Sequence, residues 1–214
     1  MPWVKMNNLP LDALFFASKV PSKKLIIVLH GRGDSAEGFS FFPQELGFDD
    51  VNFLLLNAPF EYYTGFSWYD LPPNQLPGIE YSKNVLTEVL DRLFLDKYEP
   101  SQTVLFGFSQ GSLLTFEFGA RYKETLAGYI GVSGYIYDAH KILAEMNRDV
   151  NMSNWLCTHG YEDDVLPYSQ SKSQVETLQN GGFEIDFGAY HKTHTVDMGE
   201  LREMREWIGE RLSS

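Results

Sequence analysis

At 214 residues and 43% hydrophobic content, the chain can form one large domain with a sheet covered on both faces. No stretch approaches the ~18 consecutive apolar residues of a membrane span, and the start, Met1 to Pro10, lacks the basic and apolar regions of a secretory signal. A formal charge of −12 opposes nucleic-acid and anionic-membrane binding and favours neutral or cationic partners. The expectation is a single domain over residues 1–214, soluble and cytoplasmic, with no nucleic-acid partner, no integral membrane association and a homodimer left open. The lone cysteine, Cys157, cannot form an internal disulfide and reads as a buried strand residue in Trp155-Leu156-Cys157.

In chain order, Leu11 to Ala17 reads as an edge strand, and Pro21-Ser22-Lys23 turns the chain into Leu25-Ile26-Ile27-Val28-Leu29. That run is continuously apolar, as a strand covered on both faces must be, and it ends in the loop His30-Gly31-Arg32-Gly33-Asp34. A short helix around Ala36 to Leu46 leads to a second apolar strand, Val51 to Leu56. From Ala58 to Glu80 no period is visible, and the segment carries Phe60, Tyr62, Tyr63, Phe66, Trp68 and Tyr69 with Pro72, Pro73 and Pro77. Long loops in compact domains are usually functional or disordered, and these aromatics argue against disorder. The reading is an ordered wall with Phe66, Trp68 and Tyr69 facing substrate; filling of the core edge is the alternative.

Val85, Leu86, Val89, Leu90, Leu93 and Phe94 recur at helical spacing up to Tyr98-Glu99-Pro100. Thr103 to Phe106 is a buried strand, and Ser112 to Tyr122 has helical spacing again. Further strands are expected at 127–132, 154–158 and 183–189, alternating with helices at 139–146 and 168–179. The last helix begins at Asp197, with Glu200 as its capping partner, and buries Leu201, Met204, Ile208 and Leu212. This alternation predicts a mostly parallel sheet between helical layers, with a ligand site at the carboxyl ends of the strands. His30, Ser109, Asp163 and His194 all follow apolar runs.

Between strand and helix stands Gly107-Phe108-Ser109-Gln110-Gly111, the pattern of a nucleophile elbow. A serine on so sharp a turn is strained, and the glycines remove side chains that would crowd the crossing backbones. A serine hydroxyl needs a neighbouring base to take its proton; histidine, with an ordinary pKa of ~6.5, suits that task, and a carboxylate fixes its tautomer. Ser109, Asp163, His194 supplies the three in order, with Asp164 and His191 as the nearest rivals for the acid and the base. The amide of Gln110, next to the nucleophile, points into the site as an oxyanion donor. His30 and His159 read as structural, and neither histidine spacing nor cysteine usage suggests a metal or other cofactor.

These motifs, with Asn57-Ala58-Pro59, Trp68-Tyr69-Asp70, His159-Gly160 through Asp163 to Pro167, and His194-Thr195-Val196, resemble the carboxylesterase and phospholipase family of α/β-hydrolases that includes the acyl-protein thioesterases. The resemblance spans almost the whole chain. It implies an α/β-hydrolase fold without a large cap domain and hydrolysis of carboxylic esters or thioesters by a Ser-Asp-His triad without metal. It also assigns the second oxyanion amide to Arg32, whose cationic side chain departs from the apolar residue of many relatives. A same-fold peptidase or dienelactone-type hydrolase, and a binding protein without turnover, are the alternatives; the dienelactone-type enzymes usually carry a cysteine where Ser109 stands.

Overall fold

The computed structural model describes residues 3–6, 8–147 and 152–213. An eight-stranded sheet is built in the order β1 (Val4–Met6), β2 (Ala13–Phe16), β4 (Asn52–Leu56), β3 (Leu25–Leu29), β7 (Thr103–Phe108), β8 (Gly128–Val132), β9 (Trp155–Gly160) and β10 (Ile185–Tyr190). From β4 to β10 all neighbours run parallel, while β1 and β2 are antiparallel additions at one side. Every residue of β3 and β4 is buried, which is why these strands read as unbroken apolar runs.

Alternate side chains of each strand serve opposite cores. Leu25, Ile27 and Leu29 pack with α2 (Gln75–Asp96), α3 (Gln110–Gly119), α4 (Ala139–Glu145) and α5 (Tyr168–Asn180). Ile26 and Val28 pack with α1 (Phe42–Leu46) and α6 (Met198–Arg211). On the first face, Trp155 is stacked between Tyr129 at 4.2 Å and Phe116 at 5.0 Å between ring centroids. On the second, α6 is held by the expected capping box, in which Asp197 and Glu200 exchange side-chain and backbone hydrogen bonds.

Three expectations change. The strand expected at the sheet's edge is internal, because the short, mostly exposed Val4–Met6 adds one more strand outside it. The helix expected from Ala36 is confined to Phe42–Leu46, and the residues before it form turns. The segment 58–80 is not a plain loop. Phe60–Tyr62 (β5) and Gly65–Ser67 (β6) form a hairpin, and α2 already begins at Gln75. Pro77 lies in the first turn of α2, where a missing amide costs no intrahelical bond, so it does not delay the helix as a proline would further in.

Candidate active site

Ser109 sits where β7 gives way to α3, with φ 55° and ψ −112°, a region a non-glycine residue occupies only under constraint. The constraint is visible on both sides. A Cβ on Gly107 would lie 2.1 Å from the Gly111 carbonyl oxygen, and one on Gly111 would lie 2.2 Å from that of Leu29. Only glycine lets the elbow cross β3 so closely. The Ser109 amide donates to the Val132 carbonyl at 2.9 Å, which ties the turn to β8.

Asp163 follows β9 and His194 follows β10, so neighbouring strands deliver both beyond the sheet's carboxyl edge. His194 Nε2 lies 2.9 Å from Ser109 Oγ, and His194 Nδ1 lies 2.8 Å from Asp163 Oδ2. The other Asp163 oxygen accepts the Val165 and Leu166 amides at 3.0 and 2.8 Å. Burial alone would raise the Asp163 pKa, but the Leu166 amide, His194 and the Val165 amide together hold it below the ordinary aspartate value. An ionised Asp163 requires the proton on His194 Nδ1, which leaves Nε2 free to accept one from Ser109. Phe108 packs on the imidazole at 5.1 Å between centroids.

The rivals lie elsewhere. His191 is exposed and faces Glu162 at 3.3 Å, and Asp164 is exposed. His30 is buried, donating from Nδ1 to the Gly31 carbonyl at 2.6 Å and accepting the Ala58 amide on Nε2 at 3.1 Å. Burial lowers its pKa, so it remains a neutral brace between the ends of β3 and β4. His159 is likewise buried, its Nε2 2.8 Å from the Leu166 carbonyl oxygen beneath the Asp163 turn. Among the described residues no group of three or more His, Cys, Asp and Glu could hold a metal ion.

Gln110 occupies the first position of α3, where a backbone amide has no intrahelical acceptor. Its side chain is anchored at both ends: the carbonyl oxygen accepts from Ser67 Oγ and the Trp68 amide, and the nitrogen donates to the Tyr69 carbonyl. Arg32 lies in the loop after β3, and among the described residues its amide donates to no protein group. That loop is pinned by the hairpin, since the Gly33 amide donates to the Phe66 carbonyl at 2.7 Å and the Phe66 amide to the Asp34 carbonyl at 2.9 Å.

A cleft of about 400 Å³ opens over Ser109, a size suited to a small ligand. Tyr69 lines it, together with Arg32, Leu71, Tyr135, Val165 and Gln170. Two residues expected to face substrate do not line it. Trp68 is fully buried and donates from Nε1 to the His30 carbonyl at 2.9 Å, while Phe66 faces a separate groove with Pro10, Asp12 and Tyr81. Hairpin pairing and the Gln110 anchor turn Trp68 inwards, so its ring fills the core, the alternative that the sequence left open, while Tyr69 keeps its place in the cleft wall.

Sequence reasoning missed Lys192. Its buried ammonium donates to Glu200 at 2.6 and 2.7 Å, to Ser133 Oγ at 3.0 Å and to the Thr195 carbonyl at 2.8 Å. Burial lowers its pKa while the Glu200 carboxylate pulls it back up. The ammonium thereby ties the His194 loop to the end of β8 and to the start of α6.

The family model for phospholipase/carboxylesterase proteins matches residues 13–211. The chain belongs to this family. Acyl-protein thioesterase 1 of Kluyveromyces lactis is 27% identical over 95% of this chain and 99% of its own length. Carboxylesterase SOBER1 of Arabidopsis thaliana is 26% identical over 89% and 92%, respectively. Among solved structures, esterase PE8 superposes with a TM-score of 0.83 at 27% identity, covering 92% of this chain and 97% of its own. The fold is accordingly that of the α/β-hydrolases, and the chain is a carboxylic ester hydrolase of this family.

Proposed function

We propose that this hydrolase cleaves carboxylic esters or thioesters through an acyl-enzyme, with Ser109 as nucleophile, His194 as general base and acid, and Asp163 as the carboxylate that orients it. Ser109 Oγ attacks the acyl carbon as its proton passes to His194 Nε2. The bond to the leaving oxygen or sulfur then breaks, and the leaving group takes that proton. Water repeats the sequence on the acyl-enzyme, giving the carboxylic acid and restoring Ser109. The amides of Arg32 and Gln110 donate to the oxyanion formed in each half-reaction, and Tyr69 lines the substrate cleft. The relatives named thioesterase and carboxylesterase support both leaving-group types. The chain works as one domain that needs no cofactor. A cytoplasmic location accords with a single, buried, free cysteine and with the absence, among the described residues, of a helix long and apolar enough to cross a membrane.

The observation that carries this reading is the Ser109–His194–Asp163 relay at 2.9 and 2.8 Å. Labelling by a fluorophosphonate probe and turnover of short acyl esters and thioesters test it. Wild-type protein should label rapidly and hydrolyse them, whereas Ser109→Ala should fold normally and lose roughly four to six orders of magnitude in kcat. A folded Ser109→Ala variant with near-normal turnover would refute the assignment.

A further inference from the structure

We propose that the preferred acyl group carries a carboxylate at its far end, making the substrate a dicarboxylic half-ester or half-thioester, and that the Arg32 guanidinium binds this anion. The inference rests on the triad reading above and concerns its specificity.

Arg32 is the only charged side chain among the described residues that line the cleft; the rest of the wall is Ser109, tyrosines, glutamines and apolar residues. Among the described residues no carboxylate pairs with its guanidinium, which lies 5.1 Å from the centroid of the Tyr62 ring. Stacking on Tyr62 orders the cation at the cleft rim and leaves its donor edge for a ligand. Burial pushes the Tyr69 and Tyr135 phenols above their ordinary pKa, and Arg32 is close enough to pull both back. Its charge is therefore felt inside the cleft.

Sheet order decides which part of the substrate meets this charge. Arg32 follows β3 and His194 follows β10, on opposite sides of the Ser109 strand β7. The leaving group must lie against His194, which protonates it, so the Arg32 side of Ser109 is left to the oxyanion and the acyl remainder. Because the Arg32 amide is assigned to the oxyanion, its side chain starts beside the reacting carbonyl and reaches a carboxylate a few bonds further along the acyl chain. The net charge of −12 disfavours anions at a distance, but that field is screened in salt, whereas a fork of donors within contact distance is not.

The test compares kcat/KM for three thioesters: butyryl and succinyl groups on one neutral thiol, and butyryl on a thiol bearing a carboxylate. Wild-type enzyme should prefer succinyl over butyryl by roughly two- to fivefold, the modest range expected of an exposed cation. Arg32→Gln should bring that ratio to one or below, and Arg32→Lys should keep part of it. Taking the ratio within each variant cancels any partial loss of folded enzyme. An unchanged ratio in Arg32→Gln, no succinyl preference in wild type, or an Arg32-dependent preference for the anionic thiol would each overturn the proposal while leaving the triad reading intact. Failure of wild-type protein both to label with fluorophosphonate and to cleave the butyryl thioester would overturn the triad reading and this proposal with it.

Discussion

His191 and His194 share one loop, yet only His194 is turned inwards, where Asp163 and Ser109 take its two nitrogens. His194→Ala should therefore lose on the order of 10⁴-fold or more in kcat, while His191→Ala should keep most activity and the wild-type pH profile, as steady-state kinetics of the two folded variants would reveal. Asp163 carries a second consequence. Its folded pKa lies below the ordinary value, so the stability it contributes is present above the unfolded pKa of about 4 and is lost as pH falls through the folded one. Denaturant titrations at graded pH should show a smaller loss of stability in that acid window for Asp163→Asn than for wild type. The meeting of these three residues was legible because serine, aspartate and histidine follow apolar runs in an order the fold uses. Lys192 was not, since a lysine in a polar loop gives no sign of the buried carboxylate it meets after folding.

Trp68 shows how an element can redirect a residue. In a stretch rich in aromatics and prolines it looked like part of a substrate wall, but the β5–β6 hairpin and the Gln110 side chain bring its backbone to the elbow and bury its ring completely. Trp68→Ala should accordingly cost about 3 to 5 kcal/mol of stability, measured by denaturant unfolding. It should lower activity on short and long acyl chains alike; a selective loss on long chains would restore the wall. The strands β3 and β7 and the α6 capping box were readable because each has a local signature, an unbroken apolar run or an Asp-Glu pair at capping spacing. The hairpin and the first turns of α2 were hidden, because prolines mark loops and helix starts equally well and because the pairing of β6 with the Gly33–Asp34 loop spans distant segments.

Across the whole molecule, parallel strands require long crossovers, so chain neighbours contribute little to the site and distant segments contribute most. Alternating strands and helices made this architecture legible, but the order of strands within the sheet was not, because pairing is settled by packing between segments far apart in sequence. The relay shows the result: Ser109 and His194 are 85 positions apart, and Asp163 and His194 are 31 apart. His194 stands just beyond β10, the outermost strand at its side of the sheet and the last to be synthesised. The turn that carries Ser109 is complete as soon as β3, β7, β8 and α3 have come together, but His194 arrives only when β10 docks on β9. β10 and β9 pair across a shorter stretch of chain than β3 and β7 do, so the delay comes from the order of synthesis and not from loop closure. On the proposed roles, a growing chain thus holds an inert serine until its last strand has been made and added at the sheet's final edge.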